Sequence, residues 1–183
     1  MRLFTAIDLS GEVRANIESL QRKLQPTALI QWSPAANLHI TTKFIGQLSQ
    51  ERLEELNNAL NRIPATGLID IAVRQLGWFP NSLSPRVFWV GVQASQALEE
   101  LAKATDDTAA ALGVPKEKRP YSPHLTLARI RTPQPLTALR EAVANLDSQE
   151  FGRFTATRYH LYLSEQTSAG SIYTKLSDFS LIS

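Results

Sequence analysis

A short pattern that occurs twice constrains the fold of this 183-residue chain more than any other feature. A histidine is followed by an apolar residue and a threonine at His39-Ile40-Thr41 and again at His124-Leu125-Thr126. Each copy lies in a run of apolar and β-branched residues, which is typical of a strand. The repetition therefore predicts two similar structural units, each supplying one strand of the same type.

The elements around the two copies also follow one order. Each histidine strand is followed by an amphipathic helix and then by two further strands. We expect an α+β fold, with residues 1–183 forming a single bilobal domain. Its two pseudo-symmetric lobes each carry an antiparallel sheet with helices on the outer face, and the active-site groove lies between them. The predicted strands are residues 3–9, 29–32, 38–45, 68–76, 87–92, 124–130, 154–163 and 171–181, and helices begin after Ser10, Ser49 and Ser95 and near Pro135.

Composition excludes several classes of function. Cysteine is absent, which removes disulfides, thiolate metal sites and cysteine nucleophiles. The formal charge of +2 is too small for a protein that coats nucleic acid through charge alone, although a local basic cleft is compatible with it. No apolar run reaches membrane-spanning length and the first eight residues contain an acid, so we expect a cytoplasmic monomer with no obligate protein partner.

The paired histidines suggest acid-base chemistry. Residues i and i+2 of a strand share a face, so His39 lies beside Thr41, and His124 beside Thr126. Imidazoles titrate near neutral pH, so one can accept a proton while the other donates one, as hydrolysis of a phosphate ester requires. Neither histidine has a second ligand at metal-binding spacing, and no nucleotide-binding glycine motif occurs, so we expect neither a metal nor another cofactor.

Three segments resemble a known family. Leu3-Phe4-Thr5-Ala6-Ile7, residues 37–46 and residues 123–129 closely resemble the bacterial and archaeal RNA 2′,3′-cyclic phosphodiesterases, formerly called 2′-5′ RNA ligases, of the two-histidine phosphoesterase superfamily. The resemblance covers essentially the whole chain and includes both signature motifs in order. It implies a bilobal fold and metal-independent opening of a terminal 2′,3′-cyclic phosphate on RNA to a 2′-phosphate. The implied ligands are RNA ends or small cyclic-phosphate nucleotides.

The resemblance also implies roles for individual residues. His124 would activate water and His39 would protonate the departing 3′ oxygen, although a nearly two-fold site is compatible with either order. Thr41 and Thr126 would bind the phosphate. Five residues after each histidine, Phe44 would stack on a base and Arg129 would contact the phosphate.

Simple strand alternation conflicts with the last two assignments. An odd offset places Phe44 and Arg129 on the face opposite the histidines, so a twist or bulge would be needed to bring them to the site. The same alternation puts Lys43 on the face of His39, where it either adds positive charge or reaches solvent.

Other interpretations of the sequence stay open. The chain could be an ATP-independent ligase that joins tRNA halves through 2′-5′ linkages, or a binder of RNA ends that breaks no bond. His160 has no threonine at i+2, and we interpret it as a structural or surface histidine. The basic residues Lys116, Lys118 and Arg119 could grip RNA or simply be solvated, and the aromatic residues Trp78, Phe79 and Tyr121 could line the groove or the core.

Overall fold

The computed structural model describes residues 1–183 and contains nine strands and four α-helices. The strands are β1 (Arg2–Asp8), β2 (Gln31–Trp32), β3 (His39–Gln47), β4 (Ile69–Phe79), β5 (Val87–Ala94), β6 (His124–Arg129), β7 (Glu150–Ala156), β8 (Arg158–Thr167) and β9 (Gly170–Ser180). The helices are α1 (Gly11–Leu24), α2 (Leu53–Asn61), α3 (Gln96–Ala111) and α4 (Thr137–Ala144). No helix is long and apolar enough to span a lipid bilayer.

Two antiparallel sheets organise the fold. One has four strands in the order β3-β1-β8-β9, and the other has five in the order β2-β6-β5-β4-β7. Helices α2 and α3 pack against the four-stranded sheet, whereas α1 packs on β7 of the five-stranded sheet and contacts α4. The predicted α+β class with two antiparallel sheets is confirmed.

Local signals explain where the first helix begins and which side it buries. The Ser10 hydroxyl accepts a hydrogen bond from the backbone N–H of Val13 at 3.2 Å, which caps α1. Val13, Ile17 and Leu24 then recur at helical spacing and are fully buried. The cap and the apolar stripe thus fix the entry of α1 and its orientation on the sheet.

The sheets do not coincide with the two halves of the chain. Strand β8, from the C-terminal end, pairs with β1 on one side and with β9 on the other, so both halves of the chain contribute to the four-stranded sheet. The single predicted strand over residues 154–163 is consequently wrong. It is two strands, of which β7 pairs with β4 in one sheet and β8 pairs with β1 in the other. A continuous run of strand-forming residues carries no mark of the point where a chain changes sheets.

Candidate active site

Both histidines occupy the first position of their strands, in different sheets. His39 begins β3 and lies opposite Asp8 of β1, and His124 begins β6 and lies opposite Gly91 of β5. Strands β3 and β6 approach one another across the boundary between the sheets. The Tyr121 hydroxyl, three residues before His124, donates a hydrogen bond to the backbone carbonyl of Thr41 at 2.9 Å. This hydrogen bond therefore links the segment just before His124 to the strand that carries His39.

A β-bulge interrupts each histidine strand at the same position of the motif. In β3, Ala6 pairs with Thr41 and Thr5 with Lys43, which leaves Thr42 as the extra residue. In β6, the partners Trp89 and Phe88 pair with Thr126 and Ala128, which leaves Leu127 as the extra residue. Each extra residue is the third after its histidine. Residues 39–44 and 124–129 consequently show the same sequence of half-buried, buried and exposed side chains.

The bulges reverse the alternation of the residues that follow them. Thr42 and Lys43 are both buried, and so are Leu127 and Ala128. The next side chains turn outward, which leaves Phe44 63% exposed and Arg129 exposed as well. A bulge that adds one residue shifts the pleat by one position, so Phe44 and Arg129 share the face of the histidines.

The expectation for Lys43 is wrong for the same reason. The bulge turns Lys43 away from His39, and its side chain is only 3% exposed. Its ammonium group pairs with Asp106 of α3 at 2.7 Å and donates to the Pro115 carbonyl at 2.9 Å. The ion pair of Lys43 with Asp106 therefore connects α3 to the side of β3 that points away from His39.

Aromatic rings surround His39. Its ring stacks on Phe4 with centroids 4.5 Å apart and meets the edge of Tyr173 at 5.2 Å. Burial lowers the pKa of His39 to about 4, opposed by a backbone hydrogen bond with Asn37 and by the negative charge of Asp8. The imidazole is thus packed between two rings and is neutral in the free protein at pH 7.

His124 has a defined tautomer. Its Nδ1 lies 2.7 Å from the backbone carbonyl of Ser122. Because a carbonyl oxygen can only accept, Nδ1 carries the proton and Nε2 is left with a free lone pair. Burial lowers the pKa of His124, and the positive charge of Arg129 lowers it further. That charge effect agrees with the placement of Arg129 on the histidine face.

Asp8 is the centre of a polar cluster beside His39 that the sequence patterns did not reveal. Its carboxylate accepts hydrogen bonds from Lys175, at 2.7 Å, and from the Tyr162 hydroxyl, and lies 3.4 Å from Nε2 of His160. Burial alone would raise the pKa of Asp8, but these hydrogen bonds and the nearby positive charge keep it below its ordinary value. His160 itself is 8% exposed and lies in β8, so it is part of the sheet.

The other sequence candidates have mixed placements. Lys116 pairs with Asp107 at 2.6 Å. Lys118 and Arg119 are exposed on the loop before β6. The Trp78 ring stacks on the buried Phe88 with centroids 4.5 Å apart, whereas Phe79 meets His124 edge-on at 5.1 Å.

Comparison with known proteins agrees with this duplicated arrangement. Residues 7–89 and 90–173 each match the family of LigT-like phosphoesterases, so the repeat covers most of the sequence. The chain belongs to this family. Its membership confirms the resemblance that the three sequence segments indicated.

Three similar proteins match this chain over nearly their full length. The RNA 2′,3′-cyclic phosphodiesterase of Methanocaldococcus jannaschii is 34% identical, with 98% of this chain and 100% of the relative covered. The crystal structure of TT0787 of Thermus thermophilus has a TM-score of 0.82 at 29% identity and covers 99% of this chain and 98% of its own. Escherichia coli LigT in complex with 3′-AMP has a TM-score of 0.79 at 28% identity, with coverages of 98% and 97%.

Proposed function

We propose that this protein hydrolyses the terminal 2′,3′-cyclic phosphate of RNA to a 2′-phosphate without a metal ion. The observation that carries the proposal is the pair of identically bulged histidine strands, which approach one another and are joined by the hydrogen bond from Tyr121 to Thr41. The name of the Methanocaldococcus jannaschii relative supports the same reaction.

In the reaction, His124 removes a proton from water through Nε2, and the water oxygen attacks phosphorus. The bond between phosphorus and the 3′ oxygen breaks, and His39 gives that oxygen a proton. The phosphate stays attached to the 2′ oxygen. Two imidazoles thus supply both proton transfers, and the proton balance closes when each histidine returns to its starting state.

Neighbouring charges support this division of roles. Burial is the largest cause of the lowered pKa of both histidines, but the charge of Asp8 opposes it at His39, which suits an acid, whereas the charge of Arg129 adds to it at His124, which suits a base. The anionic substrate adds a negative charge that raises the pKa of both imidazoles when it binds, which offsets the burial that lowers them.

The remaining residues of the histidine face bind the substrate. The half-buried hydroxyls of Thr41 and Thr126 donate to the two unbridged phosphate oxygens, and the guanidinium of Arg129 neutralises the phosphate charge. The exposed ring of Phe44 stacks on the base of the terminal nucleoside. The complex of E. coli LigT with 3′-AMP supports nucleotide binding by this fold.

The test uses protein treated with EDTA and an RNA that ends in a 2′,3′-cyclic phosphate. We expect the cyclic ester to open, with phosphorus NMR identifying a 2′-monophosphate as the product. His39→Ala and His124→Ala should each lower kcat by about two to four orders of magnitude. Glu99→Ala, at an exposed position of α3, is the control and should stay active.

Three outcomes would contradict the proposal. Unchanged cyclic ends or full activity in both histidine variants would refute hydrolysis by this pair, and a requirement for added metal would refute the metal-free route. RNA molecules joined on a denaturing gel would indicate the ligase reaction instead. Binding of cyclic-phosphate RNA without any broken ester bond would indicate a non-catalytic role.

A further inference from the structure

A cavity of about 280 Å³ borders His124 on the five-stranded sheet. Its wall combines aromatic rings with groups that form hydrogen bonds, as the walls of small-molecule sites do. Phe44 is not among its lining residues, so the cavity is separate from the stacking position assigned above. The side chains that matter here are Arg74, Gln75, Phe79, Trp89, Gln93 and Tyr121.

The cavity exists because the two halves of the site differ at one matched position. Opposite His39 the partner strand carries Asp8, whose side chain is surrounded by Lys175 and Tyr162. Opposite His124 the corresponding residue is Gly91, which has no side chain. A Cβ at Gly91 would lie 2.7 Å from the Arg74 carbonyl, so the backbones approach too closely for any larger residue. The space that polar groups fill beside one histidine is therefore open beside the other.

Gln75 is held in an unusual conformation at the edge of this space. It is the only non-glycine residue with a positive φ, at +66°, and it lies at a bulge in β4 between Arg74 and Leu76. Its N–H donates to the Gln149 carbonyl at 2.9 Å, and the Gln149 side chain accepts from Leu76 at 3.0 Å, so the bulge is well supported. A bulge re-aims a side chain, and such strain is typical of functional sites. Here the exposed amide of Gln75 lines the cavity.

The aromatic wall continues directly from His124. Phe79 meets His124 edge-on, with ring centroids 5.1 Å apart, and lies 5.2 Å from the Trp89 ring. The Trp89 ring covers Gly77 so closely that a Cβ added there would overlap the ring. A flat ligand that enters the cavity would thus meet ring surfaces on one side and amide groups at the rim.

We propose that this cavity binds the base of the nucleoside next to the terminal one, so that the enzyme acts on RNA chain ends in preference to cyclic mononucleotides. The proposal rests on the function proposed above. A cyclic mononucleotide has a single base, which Phe44 accommodates, so a second site of aromatic and amide groups requires a second nucleoside. Stacking on the rings and hydrogen bonds with Gln75 and Gln93 would hold its base, as in sites for single-stranded nucleic acid.

The experiment compares kcat/KM for three substrates: a dinucleotide that ends in a 2′,3′-cyclic phosphate, the same molecule without its upstream base, and the cyclic mononucleotide. The wild-type protein should prefer the complete dinucleotide to the other two by about tenfold, the effect of one stacked base. Gln75→Gly removes the amide and suits the positive φ, so the protein should fold. This variant should reduce the preference by about fivefold, the effect of one hydrogen bond. Gln50→Ala, an exposed glutamine outside the cavity, is the control and should keep the wild-type ratio.

The inference fails if the wild-type protein hydrolyses the dinucleotide and mononucleotide with equal kcat/KM, or if removing the upstream base changes nothing. It also fails if Gln75→Gly lowers kcat/KM for all three substrates by the same factor, since that result indicates a structural role. Failure of the proposed function itself is distinguishable, because then none of the three cyclic phosphates is opened.

Discussion

The buried pair of Lys43 and Asp106 offers a test of how the bulge in β3 is held. The two partners differ in exposure, since the Lys43 side chain is 3% exposed and that of Asp106 is 19% exposed. Without Lys43, the carboxylate of Asp106 keeps the N–H of Glu117 at 3.2 Å and some solvent. Without Asp106, the ammonium group keeps only the Pro115 carbonyl. Removing the acid should therefore destabilise the protein more than removing the base.

The expected magnitudes follow from this asymmetry. Asp106→Ala leaves an uncompensated buried charge and should lower the free energy of unfolding by about 3 kcal/mol. Lys43→Met removes the charge and fills a similar volume, so its cost should be about 1 kcal/mol. The double variant should have about the same free energy of unfolding as Lys43→Met, because the ammonium charge that Asp106→Ala leaves unpaired is then absent.

Urea unfolding followed by circular dichroism measures these differences. At a slope of about 2 kcal/mol per molar urea, Asp106→Ala should lower the midpoint by about 1.5 M. Burial alone would raise the pKa of Asp106, but the hydrogen bonds from Lys43 and Glu117 lower it overall. Its contribution is thus present above the ordinary carboxyl pKa and is lost as the pH falls through the lowered value. The difference in free energy of unfolding between wild type and Asp106→Ala should therefore disappear at acidic pH.

Lys43→Met also tests where the side chain points. Because Lys43 faces α3 and not the side of β3 that carries His39, this variant should keep kcat/KM close to wild type well below its unfolding temperature. If Lys43→Met lowered the free energy of unfolding as much as Asp106→Ala does, the asymmetry between the two partners would be refuted. A large loss of kcat/KM in Lys43→Met, with stability unchanged, would instead place Lys43 at the substrate.

Two further predictions concern the charges beside the histidines. Arg129→Ala removes a positive charge that lowers the pKa of His124, so NMR titration of the His124 ring should show that pKa rising. An unchanged pKa of His124 would indicate that Arg129 does not act on the base. Asp8→Asn removes a negative charge that raises the pKa of His39 against burial, so that pKa should fall further and kcat/KM at neutral pH should fall with the protonated fraction of His39. NMR titration of the His39 ring should show its pKa falling in this variant, and a rise would contradict the assignment.

Much of the fold was predictable because the local signals agree with the final contacts. The Ser10 cap, the apolar stripe of α1 and the two histidine strands all appear where the sequence indicates them. The change of sheet near Thr157 was not predictable, because strand-forming residues continue on both sides of it. Which strand each segment pairs with is decided by contacts with β4 and β1, which are distant in sequence.

The bulges are the part of the site that sequence periodicity could not supply. A bulge is a property of a strand pair, so β3 alone does not reveal that Thr5 will pair with Lys43. One signal was available in the second motif, where Leu127 and Ala128 are consecutive apolar residues in an otherwise alternating strand. The first motif gives no such signal of its bulge, because its two consecutive buried residues, Thr42 and Lys43, are polar. Thr42 forms a hydrogen bond with Thr5, and Lys43 forms an ion pair with Asp106.

The duplication of the sequence explains why β3 and β6 have the same local structure. The positions at which the two halves differ explain why the two histidines take different roles in proton transfer. Ordinary alternation gives each histidine a threonine two residues later on the same face, and identical bulges add an outward side chain five residues later. The partner strands then place a carboxylate opposite His39 and a glycine opposite His124. The first difference raises the pKa of His39 against the burial that lowers it, and the second leaves an open space beside His124. A symmetric pair of imidazoles would have no reason to prefer one direction of proton transfer, so these two positions should determine which histidine acts as the acid.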